Sequence, residues 1–369
     1  MDISEFLVTP AEATRRPGPH DRIVLSSRVR LARNLRKVAF PGWAKKAERL
    51  KALEIIQPAV QGLSQMAGAF SSSMDALSTM EKTLLVERHL ISREHAAKGV
   101  GSGLVVNREE SLCVMINEED HLRMQALRPG LQLKQAWQTI DQVDSELEKK
   151  LDYAFDDVLG YLTACPTNVG TGIRVSAMLH LPGLVLAEQI EQIIQSVNKL
   201  GLAVRGLYGE GTEALGNVFQ VSNQMTLGES ETDIVERLSK VLAQIIEHEE
   251  NARQTLLEKK PKMVFNQIGR AYGILANAHS ITSKETMNLL SFLRLGVDLG
   301  HFENVERWLA DELFIITQPA HLQKQLAEKL GAEERDLLRA DMLRDRLKNV
   351  GRPRPRPLTN ADGLDKPRD

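Results

Sequence analysis

The spacing of apolar positions changes character along the chain. Gly103–Val106 and Leu112–Ile116 are short apolar runs with the length and β-branched content of strands. Leu186, Ile190, Ile193, Ile194 and Val197 instead recur every 3.6 residues, as on one face of a helix, and Gly201 suits the position just past its end. A strand-like Leu202–Leu207 follows directly. From Arg22 to about residue 225 this mixture predicts an α/β or α+β domain. Beyond it, Ile234, Leu238, Val241, Leu242 and Ile245 mark an amphipathic helix.

Residues 251–262 are mostly polar and contain Pro261, which predicts a linker. Residues 263–350 then carry almost no strand signal. Helices are expected over Ser283–Leu295, Val305–Ile316, Leu322–Leu330 and Glu333–Leu347, which makes a small all-α second domain. At the start, Pro10, Pro17 and Pro19 predict irregular structure through residue 20. At the end, residues 351–369 are rich in proline and charge and are expected to be disordered or extended.

Composition narrows the class without choosing a function. Lys and Arg total 47 against 49 Asp and Glu, so no basic excess points to nucleic acid. Two cysteines, Cys113 and Cys165, cannot build a disulfide framework in so long a chain. They are expected to be reduced, in a cytoplasmic protein. No apolar stretch approaches the roughly 20 residues of a membrane span. The phosphate-binding loop G-x-x-x-x-G-K-[ST], the protein-kinase signatures, zinc-spaced His/Cys clusters and the G-x-S-x-G elbow are all absent. Gly99, Gly101 and Gly103 precede a strand, so they predict a hairpin turn rather than a dinucleotide turn.

Five segments carry candidate chemistry. In Ser26-Ser27-Arg28-Val29-Arg30, an extended strand turns Arg28 and Arg30 to one face, where two guanidinium forks suit a polyphosphate. A solvated basic face has the same pattern. In Asn117-Glu118-Glu119-Asp120-His121-Leu122-Arg123, acids follow a buried strand; a catalytic carboxylate and an ordinary polar turn both fit. Cys165-Pro166-Thr167-Asn168-Val169-Gly170-Thr171-Gly172-Ile173-Arg174 joins a cysteine to glycines that permit close ligand approach. Cys165 is either a reactive thiol or a structural one. Arg205-Gly206-Leu207-Tyr208-Gly209-Glu210-Gly211 is a strand end entering a glycine-rich loop with one acid, and it also fits a hairpin. His89 stands alone in Val86-Glu87-Arg88-His89-Leu90, where a packed residue is the plainer reading. Five arginines and two acids at element ends suffice to surround a nucleoside triphosphate.

Together S-S-R-V-R, N-E-E-D-H-L-R, C-P-T-N-x-G-T and R-G-x-x-G-E, in this order, resemble the guanidino (phosphagen) kinase family. The resemblance covers roughly residues 21–250. It implies an α+β catalytic domain with a central antiparallel sheet flanked by helices. Metabolic members carry a helical domain before the first motif. Here that motif begins at Ser26, so the expected acceptor pocket is open. Met115 stands where those members usually have tryptophan.

Within the family the chain looks most like the bacterial protein-arginine kinases, which also share R-D-x-x-R-A, here Arg335-Asp336-Leu337-Leu338-Arg339-Ala340. By itself that segment is a solvated ion-pair face. The resemblance makes Arg335, Asp336, Arg339 and Ala340 an allosteric phosphoarginine pocket on a helical domain at 263–350.

The resemblance implies ATP with Mg2+, bound by Ser26, Ser27, Arg28, Val29, Arg30, His89, Arg123, Arg174, Val175, Ser176, Ala177, Met178 and the run Arg205, Gly206, Leu207, Tyr208, Gly209, Glu210. It implies Glu119 and Glu210 on the acceptor guanidinium, with Glu119 as base and Cys165 beside them. No dedicated protein site for a metal is expected. The implied activity is phosphorylation of arginine side chains in proteins, with autophosphorylation and phosphoarginine sensing. The implied context is stress-response regulation or a Clp-type protease, with an activator protein and a homodimer. A kinase acting on free arginine and a kinase-fold adaptor are the competing readings.

Overall fold

The computed structural model describes residues 3–8, 11, 17–206, 214–326 and 330–355. Leu207, Tyr208, Gly209 and Glu210 lie outside the described residues, as do residues 356–369.

In chain order the elements are α1 (Glu5–Val8), β1 (Val24–Arg33), α2 (Lys46–Gln61), β2 (Phe70–Ser73), α3 (Thr79–Glu87), α4 (Arg93–Ala96), β3 (Gly103–Val106), β4 (Leu112–Ile116), β5 (Leu122–Pro129), α5 (Leu133–Glu148), β6 (Phe155–Asp156), β7 (Gly160–Tyr161), β8 (Ile173–His180), α6 (Pro182–Leu186), α7 (Ile190–Lys199), β9 (Leu202–Gly206) and β10 (Val218–Asn223). The helical part follows as α8 (Glu231–Lys259), α9 (Pro261–Leu275), α10 (Ser283–Asp298), α11 (Arg307–Ile316), α12 (Pro319–Leu326) and α13 (Ala332–Leu347).

Eight strands form one antiparallel sheet in the order β2-β3-β4-β5-β1-β8-β10-β9. Because successive side chains alternate, the long strand β1 serves both faces. Val29 and Leu31 enter a large core with Met124, Val175 and Val221. That core is closed by Ile140 and Val143 of α5, Ile234, Leu238 and Leu242 of α8, and Ile56 of α2. On the other face, the β2-β3-β4 half is covered by α3. Leu104, Val106, Cys113 and Met115 pack there with Leu84 and Leu85. The β1-β8-β10-β9 half of that face bears the polar side chains described below.

Local sequence explains several boundaries. Ser78 caps α3 by accepting the Glu81 amide at 3.2 Å, and Glu81 answers by accepting the Ser78 amide at 2.9 Å. The Gly99–Gly103 cluster is not a hairpin turn. It connects α4 to β3, whose hairpin partner is β4. Gly101 has φ +86°, and a Cβ there would lie 2.9 Å from the Arg49 side chain. The proline-broken N-terminal stretch still holds one turn of helix, because Phe6 is fully buried edge-on against Phe70.

The linker expected over 251–262 is helix instead. α8 continues to Lys259, and Pro261 opens α9 at a position where its missing N–H costs nothing. The polar composition misled because its charged Arg253 is buried against a partner one turn before the span. Arg253 donates to Glu249 one turn earlier at 2.6 Å, and Ala252 and Leu256 pack inward. The helical region has its own core, including Ile268, Leu290, Leu313 and Leu343. Residues 351–355 run alongside it, where the Arg354 amide donates to the His301 carbonyl at 2.8 Å.

Candidate active site

Register determines which side chains meet. Arg30 of β1 lies opposite Arg174 of β8, and Arg28 opposite Ser176. On the other side, Arg30 faces Gln125 and Ala32 faces Arg123 of β5. Ser176 faces Ser222, and Met178 faces Gln220, which in turn faces Arg205 of β9. Residues directly opposite in an antiparallel pair share a face. Arg28, Arg30, Arg123, Arg174 and Arg205, drawn from four strands, therefore point the same way.

They line a cleft of about 1080 Å³ together with Glu118, Glu119 and Cys165. The same alternation sends Val29, Val175 and Ala177 into the apolar core. Ser27 also turns away, donating to the Gly130 carbonyl at 2.7 Å and accepting the Gln132 amide at 2.8 Å. These four positions offer the cleft only backbone. Ser26 and Met178 share the cleft's face at its far end.

Arg123 pairs with Glu118, Arg28 donates to Gln220 at 2.7 Å, and Arg174 donates to the neutral Ser222 hydroxyl at 3.2 Å. The Arg30 Nε is buried with no partner. Burial, then Arg28, Arg123 and Arg174, hold the Arg30 guanidinium well below its usual pKa. Arg174 is lowered by burial and by Arg205 and Arg123. A cage of cations that lower one another's pKa and keep an unused buried donor suits a polyanion. His89 has φ +60°, and its carbonyl accepts from Gln125 on this face at 2.8 Å. Burial, then Arg28, push its imidazole down to about 4, so it is neutral at pH 7 and adds no charge.

The acidic turn divides its labour. Glu118 is 1% exposed and accepts from Arg123 at 2.5 Å and from Ser92. Burial opposes its charge, but Arg123 and Ser92 more than offset this, and its carboxyl lies below the ordinary range. Glu119 is exposed at the cleft, with its pKa raised by partial burial and by Asp120. Asp120 accepts from Asn34 at 2.6 Å and from the Ala164 amide at 2.7 Å, which fastens the turn to the loop carrying Cys165. His121 Nδ1 accepts the Leu35 amide at 3.2 Å. Cys165 is half-buried, 3.0 Å from the Thr167 hydroxyl, and lines the cleft. Met115 lies opposite Arg123 and is buried in the small core under α3. Among the described residues no group of three or more His, Cys, Asp or Glu is arranged to hold a metal ion.

The arginines, Glu119 and Cys165 thus meet at one cleft. Arg335, Asp336, Arg339 and Ala340 sit on α13, outside the cleft lining. Arg335 donates to the Leu330 carbonyl at 2.8 Å. Arg339 is 1% exposed and donates to the Thr317 and Ile281 carbonyls at 2.9 and 2.8 Å and to Asp336 at 2.5 Å. Ala340 packs in the helical core.

Sequence reasoning gave Glu118 no role of its own and missed Gln220, Lys98, Phe40 and Trp43, all of which line the cleft. For Gln220 a signal existed: Phe219 and Val221 alternate with Gln220 and Ser222, as a half-buried strand requires. Phe40 and Trp43 lie in a loop with no periodicity, which left no trace of their position.

Comparison with known proteins bears on this cleft. Residues 51–252 match the family model described as ATP:guanido phosphotransferase, C-terminal catalytic domain. Residues 261–358 match the one described as Protein-arginine kinase McsB C-terminal domain. A protein-arginine kinase of Bacillus thuringiensis subsp. konkukian (strain 97-27) is 48% identical over 336 residues, spanning 90% of this chain and 94% of that protein. The protein-arginine kinase of Bacillus cereus (strain AH187) matches at the same identity and coverage. Among solved structures, a lombricine kinase has a TM-score of 0.55 at 24% identity, covering 67% of this chain and 75% of its own. The substrate-free duplicated taurocyamine kinase from Schistosoma mansoni has a TM-score of 0.57 at 24% identity, covering 77% of this chain and 44% of its own.

Proposed function

The chain belongs to the ATP:guanido phosphotransferase family, and on that premise we propose that it transfers the γ-phosphoryl group of ATP to arginine side chains of proteins. The observation that carries this reading is the convergence of five arginines, with a buried unused donor on Arg30, beside the free carboxylate of Glu119.

The acceptor is a poor nucleophile. With a pKa of about 12.5–13.8, arginine is neutral at pH 7 in at most about one molecule in several hundred thousand. A guanidinium nitrogen attacks the γ-phosphorus, the bond to the ADP oxygen breaks, and the nitrogen's proton passes to a carboxylate. Glu119 suits that role because its raised pKa makes it a better base than an ordinary glutamate. Glu118, committed to Arg123, is not free to accept the proton and instead steadies that arginine. Glu210 is the second carboxylate of the reading, orienting the guanidinium. Cys165 lies near enough to border the acceptor.

Arg28, Arg30, Arg123, Arg174 and Arg205 would hold the triphosphate and stabilise charge on the transferred group and departing ADP. Mg2+ would arrive on the phosphates and neutralise part of their charge while keeping several of its waters. Neutral His89 suits the nucleoside end.

The finer parts of the reading concern regulation. Autophosphorylation would create phosphoarginine, and Arg335, Asp336, Arg339 and Ala340 would sense it. Supporting this, hydrogen bonds lead from α13 by way of α12 to the end of α3. Asp336 and Arg339 tie α13 to Ile281 and Thr317, just before α12. The N-terminus of α12 is capped by Glu87, which accepts the Ala320 amide at 2.8 Å and pairs with His321 at 2.7 Å. Glu87 ends α3, two residues before His89. A homodimer, an activator protein and work alongside a Clp-type protease in a stress response rest on the resemblance alone.

The test is incubation with ATP and an arginine-rich protein, followed by mass spectrometry without acid, since N–P bonds are acid-labile. Phosphoarginine should appear with the native protein and vanish with Glu119→Gln and with Glu210→Gln. Label found only on free arginine would overturn the protein-acceptor reading. For the sensor, Arg335→Ala should weaken phosphoarginine binding while ATP binding persists; unchanged phosphoarginine affinity would refute it.

A further inference from the structure

Eleven large apolar side chains are exposed among the described residues, and six of them fall in three segments around the cleft's end of the sheet. Trp43, 91% exposed, lines the cleft itself. Phe155, Val158 and Leu159 occupy the β6–β7 hairpin, with Val158 87% exposed at its tip. Met225 and Leu227 follow β10. The three segments are distant in sequence, but strand register brings them to one end of the sheet. β1 finishes there beside the start of β5 and β8, and so does β10. Glu119 and the Cys165 loop occupy that same end.

These side chains are held in place. Asp156 accepts the amides of Val158 and Leu159, each at 2.9 Å, which fixes the hairpin tip. The hairpin is bridged to the Cys165 loop through Tyr161 and Gly170, where the Tyr161 amide donates at 2.8 Å. A Cβ on Gly160 would lie 2.6 Å from the Gly170 carbonyl oxygen, and one on Gly170 would lie 2.4 Å from that of Thr226. The Thr226 hydroxyl donates to the Val169 carbonyl at 2.7 Å, so Met225 and Leu227 are anchored to the same loop.

Clustered exposed apolar groups mark a binding surface. We propose that this apolar collar binds apolar side chains flanking the target arginine of a protein substrate, so that the enzyme selects arginines by their neighbours. The proposal rests on the protein-acceptor reading above. An arginine reaching Glu119 from a polypeptide carries its chain across the mouth of the cleft. Extended chain advances about 3.3 Å per residue, so positions two or three away lie within about 10 Å and meet the surrounding loops. A second copy of this chain is the poorer occupant, because pairing collar to collar would close the mouth that substrate must enter.

Two peptides decide it: one with Leu-Ala-Arg-Ala-Leu at its centre and one with Ser-Ala-Arg-Ala-Ser. With ATP and the full-length protein, the leucine peptide should show a kcat/KM about tenfold higher, mainly through KM. Trp43→Ser and Val158→Ser should together bring that ratio to about two or less. Both side chains are almost fully exposed, so unchanged melting temperatures are expected and are checked alongside. Equal kcat/KM for the two peptides, or a ratio that survives the double variant, overturns the collar while leaving the protein-acceptor reading intact. No phosphate on either peptide, with a denatured arginine-rich protein also unmodified, sinks that reading and the collar with it.

Discussion

Two clusters of arginine show how the same side chain is put to opposite uses. In the cleft, Arg28, Arg30, Arg123, Arg174 and Arg205 share one face, where Arg123 pairs with Glu118 and the Arg30 Nε is buried without a partner. Where the helical region meets the sheet, Arg253, Arg294 and Arg307 are also buried or half-buried, but each has carboxylates in contact. Arg253 reaches Glu249 and Asp298, Arg294 reaches Asp298 and Asp311, and Arg307 reaches Asp298 and Asp21, all within 3.4 Å. Burial disfavours the Asp298 charge, yet these three arginines outweigh it and keep its carboxyl below the ordinary range. A buried cation with its counter-charge inside the fold is structural. One whose counter-charge is lacking is waiting for a ligand. What separates the clusters is the supply of acids, not arginine itself.

The sharpest test of the cleft is its free acid. Glu119→Gln should lower kcat roughly 10²- to 10⁴-fold, with the melting temperature unchanged. With Glu119 as base, the rate of the native protein should also fall as pH drops through a pKa above the ordinary glutamate value. Unaltered turnover in the variant would reassign the proton to another group.

The structural cluster should respond in the opposite sense. Asp298→Asn removes the shared partner of three arginines and should cost about 3–5 kcal/mol in denaturant unfolding. ATP affinity, measured where the variant is still folded, should be retained. Arg30→Ala is the counterpart. It should weaken ATP binding about ten- to a hundredfold by calorimetry, yet leave stability undiminished, because it relieves repulsion from Arg28, Arg123 and Arg174. If Arg30→Ala unfolds the protein and Asp298→Asn does not, the contrast between the clusters is wrong.

The smallest expected effect concerns His180. Its Nδ1 accepts from Arg294 at 3.2 Å, so Nε2–H donates to the Ser291 hydroxyl at 2.8 Å. Burial, then Arg294, Arg253 and Arg307, hold this imidazole well below its ordinary pKa. The unfolded chain therefore binds a proton below about pH 6.5 that the folded chain refuses. Stability is full above that pH and declines as pH falls toward the folded value. The melting temperature should drop by a few degrees between pH 7 and pH 5, and His180→Gln should reduce that drop.

Much of this molecule was legible in its residues. Alternation in β1 foretold that Arg28 and Arg30 share a face, and the helical periods of residues 283–347 foretold an all-α region. Apolar spacing and motif order are local properties, and local stereochemistry honours them. Other features had no local signature. Residues 251–259 look like a linker because Arg253 and its neighbours are polar or charged, and only burial of Arg253 against Glu249 and of Ala252 and Leu256 in the interior shows why they are helix. Glu118 and Glu119 are neighbours with the same side chain, yet one is spent on Arg123 and the other is free. Trp43 and Val158 gain meaning only when strand register draws their loops to one end of the sheet. Sequence by itself determined which chemical groups exist and which way each strand turns them. The tertiary structure decided which charges are matched and which are left for a ligand, because pairing and burial depend on residues that meet only when distant segments pack.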